Sequence, residues 1–229
     1  MIHNKKEFSI GLALIVGFFL ALVGIFSPIF PGGTNTLDYM DSTFNSISKD
    51  SAYYIPVVAE KARKYDGAAV TMNIKAADPG QAAHMEKMLT TAGAKVVVDG
   101  ANLNISGDLG RMLGSILADA DLMYKNEGAV VAGKYGFEEK RALYDWHRAL
   151  SAMTKDLNKQ SKFKEGKLLR DVQTKAVEPA YNYYGVKAVP MSKMIVVALA
   201  ALIGYVVYTI WYGFAILFLF EGWGFKLEH

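Results

Sequence analysis

The chain has 229 residues, 52% hydrophobic and 21% charged, with 25 Lys and Arg against 22 Asp and Glu for a net charge of +3. Basic and acidic residues are interspersed, so no phosphate-tracking surface is implied and nucleic acid is not an expected partner. No cysteine is present, which excludes disulfides, thiolate catalysis, cysteine-ligated iron–sulfur clusters and haem attached through CxxCH.

Residues 1–8 read as a cytoplasmic N-terminus carrying Lys5 and Lys6. Residues 9–30, "SIGLALIVGFFLALVGIFSPIF", contain no charge and read as a transmembrane helix, because about 20 residues at about 1.5 Å each cross a hydrocarbon core. The apolar stretch is longer than that of a signal peptide, and its exit "SPIFPGG" lacks an A-x-A-like cleavage site, so an uncleaved anchor is expected. Ser9, Ala13, Gly17 and Ala21 recur every fourth residue, a spacing at which small side chains let another helix approach closely.

Residues 31–66 read as a linker and a helix. Pro31, Gly32 and Gly33 break the first helix. The next helix is expected to start at Ser48 or Asp50 and to hold Pro56 near its start or at a kink.

Residues 67–133 read as an extracytoplasmic α/β sandwich domain. The stretch 68–76 alternates like a strand. A helix follows over 78–94, with Asp78 as N-cap, Pro79 in its first turn and Gly93 at its end. Asp99-Gly100 signals a hairpin within 95–107, 108–126 is helical, and "GAVVAG" (128–133) reads as a fourth strand. This β-α-β-β-α-β order predicts a ferredoxin-like sandwich with helices on one face of an antiparallel sheet.

Residues 134–190 read as a helical segment of the same domain. Leu143, Trp146, Leu150, Met153 and Leu157 alternate steps of three and four, and packing on the domain's own sheet is the expected use of that seam. A further helix over 164–185 is expected to stop at Pro179.

Residues 193–220 read as the second transmembrane helix, with Ala200 and Gly204 as its small pair. Tyr205, Tyr208, Trp211, Tyr212 and Trp223 suit aromatic anchors at a membrane interface. The tail 221–229 ends in Leu227-Glu228-His229, which reads as a tag remnant. Lys5, Lys6 and Lys226 put both termini on the cytoplasmic side and the middle domain outside. The class expected is thus an α+β two-pass membrane protein of a bacterial inner membrane.

Catalytic chemistry is thinly represented. His84 and His147 stand on different predicted helices, outside any HxxxH or HExxH spacing. Asp119 and Asp121, two apart on a helix, point to different sides and read as a solvated face. Asp38 and Asp41 read as caps. No GxSxG, P-loop or dinucleotide fingerprint occurs. No catalytic residue, metal or cofactor is therefore expected, and the chain is not expected to be an enzyme.

A short start, one span, an α/β outer domain with late helices and Pro190 before the last span resemble, in layout, polysaccharide chain-length regulators. That resemblance implies a homo-oligomeric ring; the family's proline-rich signature is reduced here to Pro190. The preferred expectation is a non-catalytic accessory or scaffold subunit of a larger membrane complex, with a ligand-sensing outer domain as a further alternative. Partners are membrane lipids and other integral subunits or copies of the chain. Helix contacts are assigned to Ser9, Ala13, Gly17, Ala21, Ala200 and Gly204. Partner contacts are assigned to Trp146, His147, Tyr181, Tyr183 and Tyr184.

Overall fold

The computed structural model describes residues 2–30 and 32–225. Met1, Pro31 and 226–229 lie outside the described residues, and with them the expectations for Pro31, for Lys226 and for the tag remnant. The elements are α1 (Lys5–Phe26), α2 (Thr36–Ser51), α3 (Ile55–Arg63), β1 (Ala69–Lys75), α4 (Pro79–Thr91), β2 (Lys95–Asp99), β3 (Asn102–Asp108), α5 (Leu109–Tyr124), α6 (Gly128–Tyr135), α7 (Glu139–Lys159), α8 (Phe163–Val172), a π-helical turn (Gln173–Val177), α9 (Glu178–Asn182) and α10 (Met191–Trp223). They form two compact units, one of Met1–Ser48 with Ala188–His229 and the other of Lys49–Lys187.

In the first unit α1 and α10 pack as an antiparallel pair. Asn4 caps α1 by accepting from the Lys6 and Glu7 amides, and the Gly222 carbonyl accepts the His3 and Asn4 amides at 2.9 and 3.0 Å. Further along, the Trp211 indole donates to the Leu14 carbonyl at 3.1 Å, and Phe18 lies against Tyr208 and Tyr212, ring centroids 4.4 and 5.1 Å away. Three of the aromatics expected at a membrane interface are thus spent on helix pairing. Both helices are long and apolar enough to cross a membrane, with mean hydropathy 2.6 and 2.3 over their most apolar windows.

The stretch after α1, which the sequence leaves open between a linker and a short helix, is helical over Thr36–Ser51. Ser48 and Asp50, expected to start a helix, lie inside α2. The next helix begins later because Pro56, at the N1/N2 position of α3, is tolerated only in a first turn.

The second unit is mostly helical around a small antiparallel sheet of order β1-β3-β2. Met72 pairs with Ile105, which on its other side pairs with Val96, and Asn73 pairs with Asn104, which pairs with Val97. Val70, Met72, Ile74, Leu103 and Ile105 point inward and are buried, while the alternate residues form a polar outer face, as the two-residue strand period requires. Asp78 caps α4 by accepting from the Gln81 amide, and Gly93 at φ +86° follows that helix. Asp99 ends β2, so the tight loop is Gly100-Ala101, with Gly100 at φ +58°.

The ferredoxin-like expectation fails at its last strand: 128–133 lies in α6, closed by Gly136 at φ +74°. A six-residue apolar run cannot be told from a short buried helix by its period, and here Val131 and Tyr135 enter the core. The free edge of β1, where a further strand would add, is taken by α7. The Asn73 amide donates to Asp156 Oδ2 at 3.0 Å, and Gln160 Nε2 donates to the Thr71 carbonyl at 2.9 Å. The five seam residues of α7 are buried in this unit. Pro179 does not stop the last helix. The π-helical turn interrupts the i−4 bonding just before it, so its missing N–H is accommodated and the chain stays helical to Asn182.

Lys49 is buried at the start of this unit. Its ammonium donates to Asn126 Oδ1, the Tyr183 carbonyl and the Val186 carbonyl at 3.0, 3.0 and 2.7 Å, and burial holds it below the ordinary lysine pKa. Tyr124 donates to the Lys49 carbonyl, and burial, with Tyr183, Asp50 and Tyr53 adding, pushes that phenol from 10 up to about 12. A phenol whose folded pKa is raised stabilises the fold in full below its unfolded value and less as pH climbs towards the folded one. The thermal-stability advantage of the wild type over Tyr124→Phe is therefore expected to shrink between pH 10 and about 12. Melting curves across that range check it.

Candidate functional site

Three concavities of the second unit border α7, the third of them a cleft of about 360 Å³ against α8 and the π-helical turn. The first, about 580 Å³, has α7 as its wall and the outer face of the sheet as its floor. Because α7 runs along the β1 edge, Arg148, Ser151, Ala152, Lys155, Asp156 and Lys159 recur at helical spacing on the wall. The outward strand positions Asn73, Lys75, Val97, Asp99, Asn102 and Asn104 form the floor. Asn104 Nδ2 donates to Asn73 Oδ1 at 2.7 Å. Asp156 Oδ2 accepts both the Asn73 amide and Gln160 Nε2, the latter at 2.7 Å.

The second, about 210 Å³, lies between α7 and the π-helical turn and α9. It is lined by Leu143, Tyr144, His147, Val177, Glu178, Tyr181 and Asn182. His147 Nε2 lies 3.0 Å from Glu178 Oε1 and 2.8 Å from the Gln173 amide. Lys140 sits over the Tyr181 and Tyr184 rings at 5.7 and 6.0 Å. π-Turns inside helices recur at functional sites, and this one sets Val177 and Glu178 at the pocket wall.

Two buried carboxylates hold the surrounding helices. Asp119, read from sequence as solvated, is 1% exposed. It accepts Lys134 Nζ at 2.7 Å, Trp146 Nε1 at 2.9 Å and the Tyr135 hydroxyl, joining α5, α6 and α7. Burial first, then the Asp119 charge, holds the Tyr135 phenol far above its usual pKa. Asp145 is fully buried and accepts Gln81 Nε2 at 2.8 Å and Arg141 Nε at 2.9 Å. His84 Nδ1 lies 3.0 Å from its Oδ2, with the ring stacked on Phe137. Among the described residues, no three His, Asp or Glu side chains come together as a metal-binding group.

The residues expected to meet a partner separate into two kinds. His147 and Tyr181 line the smaller pocket. Trp146 is fully buried and belongs to the core, its N–H spent on Asp119. The Tyr183 carbonyl receives Lys49, and the Tyr184 hydroxyl donates to Glu139 at 2.9 Å. That bond raises the tyrosine pKa and, after the backbone bond at Glu139 itself, lowers the carboxyl's. Tyr144, which completes the aromatic rim, was missed by sequence reasoning. Its signal was its place beside Tyr181 and His147, visible only in the fold.

On the helix pair, Gly17 meets Trp211, at 3.1 Å from where a Cβ would stand, while Gly204 has open space around it. Ser9, Ala13 and Ala200 are exposed or half-buried, as is Ala21. The closest approaches are at Gly11 and Gly222, which lie outside the four-residue stripe.

No family model, curated protein or solved structure matches this chain.

Proposed function

We propose that the chain is a non-catalytic accessory or scaffold subunit of a larger membrane complex, held in a bacterial inner membrane by α1 and α10. In this reading both termini are cytoplasmic and the second unit is extracytoplasmic. The observation that carries it is the exterior of the helix pair. Each helix covers only one side of the other, leaving large apolar side chains such as Leu20 (68% exposed), Val196 (76%) and Ile203 (62%) uncovered. Water does not tolerate a contiguous apolar surface of that size; lipid and neighbouring apolar helices do. Lys5 and Lys6 in the first turn of α1 support the orientation, and the aromatic pocket of His147, Tyr144 and Tyr181 offers a surface of the kind that partner proteins use.

The absence of native cysteine makes a direct test simple. Val97→Cys is expected to react with a membrane-impermeant maleimide in intact cells opened at the outer layer, and Ile2→Cys only after the inner membrane is broken. The reverse pattern would overturn the orientation. Extraction in mild detergent with mass spectrometry of every chain present should recover different membrane proteins in fixed proportion. A ring of this chain alone would replace the accessory reading with the homo-oligomer one. A ligand-sensing role for the second unit is the second reading, favoured by the groove between α7 and the sheet.

A further inference from the structure

We propose that the groove between α7 and the outer face of the sheet binds a small polyanion, a ligand bearing two or more phosphate or carboxylate groups. Four cations line it, Lys75, Arg148, Lys155 and Lys159, against the carboxylates of Asp99 and Asp156. None of the four makes an ion pair among the described residues, as is true of surface cations such as Lys95 and Lys167, but these four line one concavity. Four cations against two carboxylates leave the lining with a net charge of +2, and Asp156 Oδ2 is turned to the Asn73 amide and Gln160.

Lys155 and Lys159 are four apart on one helix face, where like charges repel. Ser151 and Ala152 lie between Arg148 and Lys155 on the wall and are too short to fill the space between the cations. On the floor, Asn104 donates to Asn73 Oδ1, which leaves the Asn73 amide NH₂ with both protons for a ligand oxygen. Arg148 and Lys159 are eleven residues apart on α7, about 16 Å at about 1.5 Å each. A ligand with two or more anionic groups can therefore engage neighbouring cations along the wall, Arg148 with Lys155 or Lys155 with Lys159. The volume, about 580 Å³, lies within the range of small-molecule sites, about 300–1,000 Å³. The proposal holds whether or not the chain is an accessory subunit.

The test is isothermal titration of the full chain in nonionic detergent with inorganic pyrophosphate and with citrate, with glucose as the neutral control. Saturable binding of at least one anion and none of glucose is expected. Removing one charge-assisted hydrogen bond, in Arg148→Gln or in Lys155→Gln, should weaken it by about tenfold or more. Lys61→Gln, outside the groove, should leave it unchanged. Because the groove cations have no carboxylate partner, their variants are expected to melt like the wild type. Failure of both anions to bind saturably overturns the proposal. So does binding weakened equally by Lys61→Gln, which would report a diffuse charge atmosphere. Repeating the titration in phosphatidylcholine nanodiscs with and without phosphatidylglycerol separates the sources of the anion. Competition by the anionic lipid assigns the groove to a phosphate headgroup, and its absence assigns it to a soluble polyanion.

Discussion

Asp119→Ala is expected to destabilise the second unit by about 3–5 kcal/mol, the range for breaking a buried charge network on one side. The carboxylate is 1% exposed and receives Lys134, Tyr135 and Trp146. Its removal leaves a buried indole N–H and a buried phenol without an acceptor, each costing about 1–3 kcal/mol, and a part-buried ammonium without a counter-charge. In a unit of this size the melting temperature should fall by roughly 10 °C. Asp119→Asn keeps one carbonyl acceptor but not the charge, so its loss should lie between wild type and alanine. Hydrogen exchange should quicken first in α5, α6 and α7, the three helices the carboxylate joins. A loss below about 1 kcal/mol, or asparagine as damaging as alanine, would show that the network does not hold these helices in this way.

That network also marks where the sequence stops being readable. The i, i+2 spacing of Asp119 and Asp121 does separate them: Asp121 stays near the surface with Lys125 at 2.6 Å, and Asp119 turns inward. Spacing says that two side chains diverge, not which of them faces the core. That depends on where Trp146 and Lys134 arrive, which only the packing of α6 and α7 decides. By contrast, Asp78-Pro79, Gly93 and Gly100 were legible because each acts through local backbone chemistry: a cap, a fixed φ and a left-handed turn. The apolar run at 128–133 fell between these cases. Its β-branched valines favour a strand, but the β1 edge where that strand would pair is occupied by α7 side chains.

The candidate groove was half legible. Arg148, Lys155 and Lys159 stand at helical spacing, and their shared face could be read from the heptad seam opposite them. The floor could not, because it exists only once β1 lies along α7, and Asn73 and Asp156 are 83 residues apart. The smaller pocket has the same origin. His147 and Tyr181 are distant in sequence and meet only because the π-helical turn keeps the chain helical through Pro179.

The helix pair gives the second large expected effect, and it separates a periodic pattern from a real contact. A Cβ on Gly222 would stand 2.5 Å from the Phe8 amide nitrogen, and one on Gly11 would stand 2.6 Å from that of Leu219. Both obstacles are backbone, so α1 and α10 must separate to admit even alanine. Gly222→Ala and Gly11→Ala are each expected to cost about 1–3 kcal/mol, as overpacking does. The double variant should cost less than the sum. Phe8 and Gly11 lie within one turn on α1, as do Leu219 and Gly222 on α10, so a separation forced at one site makes room at the other. Gly222→Ala should also disturb the bonds from His3 and Asn4 to the residue-222 carbonyl, loosening the start of α1. Gly17→Ala should be milder, because its neighbour is the rim of the Trp211 indole at 3.1 Å, which can shift. Gly204→Ala should be silent or slightly stabilising, with nothing within 4 Å of the new methyl and alanine the better helix former. Melting in detergent, followed by tryptophan fluorescence, ranks the four. Equal effects at Gly204 and Gly222 would mean that α1 and α10 do not pair as described, because one site has room for a methyl and the other has none.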